Sequence, residues 1–257
     1  MTMTQEEMNV LVPQKLRELE QTYGITVLYA AESGSRAWGF ASPDSDYDVR
    51  FIYKRPRQEY LRLDAPRDVI ELPIDDTWDV VGWDLNKSLK LLHKSNPSLY
   101  EWLGSPICYL SRGLEQRLRP LMQLCFSEEK MMHHYLSMAR NNTRGYLRGA
   151  TVRPKKYMYA LRPLLACQWI LDRHCAPPVP FSALVEAALP ERLRETVEQL
   201  IALKVSGPEQ MEIPHIPELD AYIGQMESTL PARMAHFPEK APDWKPLNDF
   251  FLSETEE

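Results

Sequence analysis

Hydrophobic positions recur along this chain at two different periods, and the change from one to the other divides it. Over residues 13–23 apolar and charged residues interleave at helical spacing, with Pro13 suited to a first turn and Gly24 to the position after the last. Residues 25–31 are an unbroken apolar run with β-branched members, which predicts a buried strand. A second strand is predicted over 46–53, then a basic connection or short helix over 54–61. Residues 68–72 and 78–83 are strand candidates separated by 73–77, which reads as a hairpin. Asp84 stands where an N-cap belongs, ahead of an amphipathic helix, and Asn96-Pro97 ends that helix and begins another over 98–103.

After Ser105-Pro106 the strand period disappears. Residues 131–149 and 155–173 have helical periodicity, Pro177-Pro178-Val-Pro180 interrupts it, and two more helices are predicted near 190–204 and 217–236. The final Ser253-Glu-Thr-Glu-Glu257 is predicted to be disordered. The expected organisation is an α/β domain over 1–110 followed by an all-helical domain over 111–257.

Composition changes this picture little. A hydrophobic content of 44% is ample for a core, 26% charged residues is ordinary, and a net charge of −6 leaves no global nucleic-acid signature. Four cysteines lie far apart without metal-ligand pairing, as expected of reduced thiols. The polar, acidic start is unlike a signal peptide, and no apolar run approaches the roughly 18 residues of a membrane span. A cytoplasmic protein is expected.

The chemistry concentrates in residues 34–50. Gly34-Ser35 closes a tight turn whose backbone N–H groups can cradle an anion. A polar loop follows, then Asp46-Tyr47-Asp48 entering the second strand. Alternate strand residues share a face, so Asp46 and Asp48 are expected to project together and to need a cation between them. Oxygen-only ligands favour Mg²⁺ or Mn²⁺. A phosphate cradle beside a metal-binding acid pair points to phosphoryl or nucleotidyl transfer. Arg36 and Arg50 flank the acids, placed either to grip phosphate or to pair with an aspartate. Lys87 is a phosphate ligand or a solvated helix lysine.

A second feature lies downstream. Residues 131–171 contain no acid yet carry Arg140, Arg144, Arg148, Arg153, Lys155, Lys156 and Arg162. Arg140, Arg144 and Arg148 recur every four residues and share a helix face, a track for an RNA backbone or for triphosphate, or a face paired with distant acids. Tyr157 or Tyr159 stacks on a base or belongs to the core. His133 and His134 point in different directions on a helix and do not form a shared metal site.

Gly-Ser, a spacer of about ten and Asp-x-Asp entering a strand resemble the signature of the polymerase-beta-like nucleotidyltransferases. The longer string Gly34-Ser-Arg-Ala-Trp-Gly…Ser42-Pro-Asp-Ser-Asp-Tyr-Asp-Val-Arg50 resembles the branch labelled YcgL or RlaP, associated with RNA repair. Asp79, Lys87, Asn96-Pro97, Glu101-Trp102-Leu103, Ser105-Pro106, Lys155-Lys156-Tyr157 and Arg162-Pro163 agree with it. The resemblance implies a core of a short mixed sheet flanked by helices, with the active site in the cleft between the domains. It implies Mg²⁺ on Asp46 and Asp48, with Asp79 as third acid, either a metal ligand or the base; Asp84 and Glu71 are rivals for that place. It places the nucleoside triphosphate, ATP among them, on Gly34, Ser35, Arg36, Lys87, Lys155, Lys156 and Tyr157. The acceptor hydroxyl is that of RNA, or alternatively of a protein or small molecule. The remaining alternative is a nucleotide-binding regulator without turnover.

Overall fold

In the computed structural model, which describes residues 3–73, 78–147, 149–208, 210–238 and 240–256, the first helix starts earlier than its proline suggests. Helix α1 (Gln5–Tyr23) has Thr4 as N-cap in a reciprocal capping box with Glu7, and Pro13 lies inside it. The apolar spacing explains the extension: Met8, Val12, Leu16 and Leu19 form one buried stripe, and Met8 lies ahead of the proline.

Strand β1 (Thr26–Glu32) leads into the single-turn helix α2 (Gly34–Trp38). Strand β2 (Tyr47–Lys54) follows, then α3 (Arg57–Tyr60), β3 (Val69–Glu71) and β4 (Trp78–Asp84). Strands β3 and β4 pair antiparallel as expected of the hairpin, whose connection at 74–77 lies outside the described residues. Helix α4 (Leu85–His93) is capped by the Asp84 carboxylate on the Asn86 amide, and α5 (Pro97–Leu103) by Asn96 on Ser98.

The next strand, β5 (Cys108–Ser111), was not expected from the sequence. It pairs antiparallel with β1 at the sheet edge, and four residues with two polar members give too short a pattern to read. The sheet order is β3-β4-β2-β1-β5, mixed, with β2 and β4 parallel. One face packs on α1: Val27, Ala30, Tyr47, Val49, Phe51, Tyr53 and Val80 share a core with Met8, Val12, Leu16 and Leu19. Gly82 on β4 is part of this fit, because a Cβ there would lie 2.1 Å from the Phe51 ring. The other face of β2 carries Asp48 and Arg50.

The chain continues through α6 (Leu114–Cys125), α7 (Glu128–Tyr146), a two-residue strand β6 (Thr151–Val152), α8 (Pro154–Arg173), α9 (Phe181–Ala188), α10 (Arg194–Ser206), β7 (Ile213–Pro214), α11 (Pro217–Met234) and α12 (Lys245–Thr255). The bridge between β6 and β7 is the one departure from all-helical structure here among the described residues.

Two compact units result. One contains Met1–Ala37, Asp46–Cys125 and Ala241–Glu257; the other contains Trp38–Ser45 and Phe126–Lys240. The expected cut near residue 110 falls inside the first unit, because β5 and α6 extend it. The predicted disorder of the last residues is also corrected. Helix α12 runs through Ser253 and Glu254, Thr255 is 5% exposed, and the Phe251 ring meets Tyr60 edge-on at 5.0 Å. No helix among the described residues is long and apolar enough to cross a membrane.

Candidate active site

The alternation of β2 turns Tyr47, Val49, Phe51 and Tyr53 into the core and leaves Asp48 and Arg50 on the opposite face. In the parallel ladder Asp48 stands directly across from Asp79 of β4. Arg50 joins them: its Nη2 donates to Asp48 Oδ1 at 2.9 Å and to Asp79 Oδ2 at 2.7 Å, and its Nη1 to the Asp79 carbonyl at 2.8 Å. Of the two roles open to Arg50, this geometry shows pairing with the acids. The acids brought together are therefore Asp48 and Asp79. Asp46 lies just before the strand, exposed, with its backbone carbonyl accepting from Arg36 Nε at 3.2 Å. Its charge still reaches Asp48. Burial holds the Asp48 carboxyl above the usual carboxylate range against the pull of Arg50, and Asp79 and Asp46 push the same way as burial.

Gly34 is fitted to this acid. Its φ is +58°, and a Cβ there would lie 2.0 Å from Asp48 Oδ2. The Ser33 amide donates to the Asp48 carbonyl at 2.8 Å, tying the turn to β2. Ser35 follows in α2, and the Arg36 guanidinium lies 3.7 Å over the Tyr47 ring.

One acid here was missed in the sequence. Glu32, at the end of β1, is fully buried, accepts from the Asp48 amide at 2.7 Å, and receives the Tyr109 hydroxyl at 2.5 Å. Its signal was a carboxylate directly continuing an apolar strand. Burial pushes its carboxyl up from an ordinary 4.5 to about 7, against the lowering effect of its two hydrogen bonds. A raised folded value means that the native state binds the extra proton. Stability from this group is thus complete below about pH 4.5 and declines as pH rises through 7, by roughly 3 kcal/mol in all. Glu32→Gln keeps an acceptor for the Asp48 amide and should flatten that decline. Denaturant unfolding at a series of pH values in metal-free buffer measures it, and a wild-type stability constant from pH 5 to 8 would contradict the assignment.

Other expected residues lie elsewhere. Asp84 ends β4 five residues beyond Asp79, about 17 Å along a strand. It is 2% exposed and engaged with the Asn86 amide, the Tyr60 hydroxyl and Arg55. It is a cap, which leaves Asp79 as the acid beside Asp48. Glu71 pairs with Arg67. Lys87 belongs to the Asp84 end, where its Nζ meets Asp68 at 3.2 Å, so the structure does not bring it to the acid pair.

In the second unit, Tyr157 is fully buried; its hydroxyl donates to Asp220 at 2.8 Å and accepts from the Ile216 amide. That corrects the expectation of a nucleotide contact, since no ring face is open to a base. Lys155 and Lys156 occupy the first turn of α8, where positive charge opposes the helix dipole, and Lys156 Nζ lies 3.3 Å over the Tyr146 ring. Arg140 donates to the Glu227 carbonyl at 3.0 Å, Arg144 is exposed, and Arg148 lies outside the described residues. Arg162 is 2% exposed and stacks 4.4 Å over the Trp38 ring. Lys204, from α10, was not anticipated: a buried ammonium donating to Ser42 Oγ at 2.5 Å and reaching Ser45 Oγ at 3.4 Å.

The donor chemistry on β2 and β4 fits a hard cation, being all carboxylate oxygen. Among the described residues no three His, Cys, Asp or Glu side chains form a ready-made metal cage, and Arg50 supplies the positive charge between Asp48 and Asp79.

Acids paired across a parallel ladder, with a glycine turn closed on one of them, fit the class that the relatives of this chain define: it is a polymerase-beta-like nucleotidyltransferase. Residues 8–253 match the RNA repair pathway DNA polymerase beta family (RlaP), and the chain belongs to that family. It is 42% identical over 246 residues to the uncharacterized protein YcgL of Bacillus subtilis (strain 168), across 95% of each chain. A crystal structure of a nucleotidyltransferase-like protein from Exiguobacterium sibiricum aligns over 86% of this chain and 73% of that one, at 13% identity and a TM-score of 0.31, a likeness too loose to carry any argument.

Proposed function

We propose that this nucleotidyltransferase transfers a nucleoside monophosphate from a nucleoside triphosphate to an RNA hydroxyl in a Mg²⁺-dependent reaction. The observation that carries the reading is Asp48, set across from Asp79 and closed upon by Gly34. Mg²⁺ bound by Asp46, Asp48 and Asp79 would polarise the triphosphate and neutralise the charge that develops on it. The side chains divide the remaining work. Gly34, Ser35 and Arg36 hold the leaving phosphates. Asp79 receives the proton of the attacking hydroxyl as the new O–P bond forms at the α-phosphate and the α–β bridge breaks, releasing pyrophosphate. Glu32 fixes the Asp48 backbone from beneath. Lys155 and Lys156, in the first turn of α8, are on this reading contacts for phosphate groups of the RNA. The RNA repair designation of the family supports RNA as the acceptor.

Pyrophosphate release measured with each triphosphate, with and without short RNA, across a Mg²⁺ titration tests this. Release is expected to require both RNA and Mg²⁺. Tight triphosphate binding without pyrophosphate under any condition would replace the reading with that of a regulator, and release with a protein or small-molecule acceptor alone would remove RNA from it.

A further inference from the structure

The first unit has a charged hollow at the end of its sheet opposite to the Asp48–Asp79 pair. Asp48 lies near the start of β2 and Lys54 at its end, six residues and about 20 Å away. Beside Lys54 an open cavity of about 450 Å³ is lined by Thr26, Leu28, Arg112, Arg117, Ser253 and Glu254. One water needs roughly 10–15 Å³ of such space, so a group far larger than water fits. Three cationic side chains from three places converge: Lys54 from β2, Arg112 from just beyond β5, and Arg117 from α6.

The acid that answers them is Glu254 of α12. Arg117 grips its carboxylate with both arms, Nε to Oε1 at 2.8 Å and Nη2 to Oε2 at 3.1 Å, and Lys54 Nζ donates to its backbone carbonyl at 2.6 Å. Arg117 Nη1 donates to the Arg112 carbonyl at 2.8 Å, which braces the fork, while the Arg112 guanidinium meets Glu20 at 2.9 Å. A carboxylate in the last turn of a helix opposes the helix dipole, so Glu254 is held here by the cations and not by any preference of α12. Two parallel N–H bonds from one guanidinium are equally the geometry that receives a phosphate oxyanion.

We propose that this hollow is a phosphate-binding site, separate from the nucleotidyl-transfer centre, and that Glu254 occupies it as a tethered competitor. The ligand is a phosphate oxyanion, either a free one or a phosphodiester of a polynucleotide. The proposal does not depend on RNA being the acceptor.

The experiment uses the full chain at low ionic strength, with inorganic phosphate and a fluorescent single-stranded oligoribonucleotide as separate probes. Glu254→Gln is expected to bind one of them about tenfold tighter than wild type, and adding Arg117→Gln should remove that gain. A gain for phosphate identifies a small-anion site; a gain confined to the oligonucleotide identifies a backbone contact. Amide hydrogen exchange over 245–255 checks that α12 stays folded in the variant. It also supplies an independent readout in the wild type: phosphate, but not chloride at matched ionic strength, should speed exchange there by displacing Glu254. Equal affinities for both probes in wild type, Glu254→Gln and the double variant, with exchange in α12 unmoved by phosphate, would overturn the proposal.

Discussion

Asp48→Asn is expected to lower nucleotidyl transfer by about 10³-fold or more while leaving the fold intact. Asp48 is where the surrounding groups meet. Arg50 binds its side chain, Glu32 its amide, Ser33 its carbonyl, and Asp79 faces it across the ladder. Asparagine retains the shape and an acceptor for Arg50, and burial already disfavours charge at this position, so little stability is at stake. What disappears is the negative charge. Pyrophosphate release together with thermal unfolding separates the two effects. A near-normal rate in a folded Asp48→Asn variant would remove the acid pair from the chemistry.

Gly34→Ala should be nearly as damaging, for a steric reason. The substitution puts an alanine at φ +58°, which costs roughly 1–2 kcal/mol, and a Cβ 2.0 Å from Asp48 Oδ2. Asp48 is a short side chain already held by Arg50, so relief requires either the carboxylate or the turn to move. Misplacement of a catalytic group by about 1 Å costs on the order of 10²-fold in rate. Gly24→Ala is the matched control: φ there is +60° and nothing lies within 4 Å, so it carries similar strain without the collision. Rate loss in Gly34→Ala with the rate of Gly24→Ala unchanged is the expected pattern. Equal rates in the two folded variants would show that Gly34 serves the turn alone.

Much of the first unit was legible because its signals are local. The alternation of β2 set Asp48 opposite to the core, Asp84 announced itself as a cap and Asn96-Pro97 as the boundary between two helices, and the strand pattern placed Asp79 at the start of β4. The rest depends on partners far away in the chain. That Asp79 would stand directly across from Asp48 needed the register of two parallel strands far apart in sequence. Arg50 could be read either way until both acids were in place. Glu32 looked like the end of a strand, and only Tyr109, 77 residues later, makes it a buried anchor. Lys204 carries no local sign of its 162-residue reach to Ser42. The acidic run at 253–257 resembled a solvated tail, because the cations that order Glu254 lie 137 and 200 residues earlier, at Arg117 and Lys54.

The return of residues 241–257 to the first unit also sets an order of events during synthesis. The long portion of the second unit, Phe126–Lys240, lies between two portions of the first, so the ribosome delivers it before the last helix of the sheet-bearing unit is made. Until then α12 is missing from the sheet-bearing unit while the second body emerges. Domains generally mature as they emerge. Here the later-begun body can finish first, and a nascent chain stalled near residue 240 is left with a sheet-bearing unit that lacks its last helix.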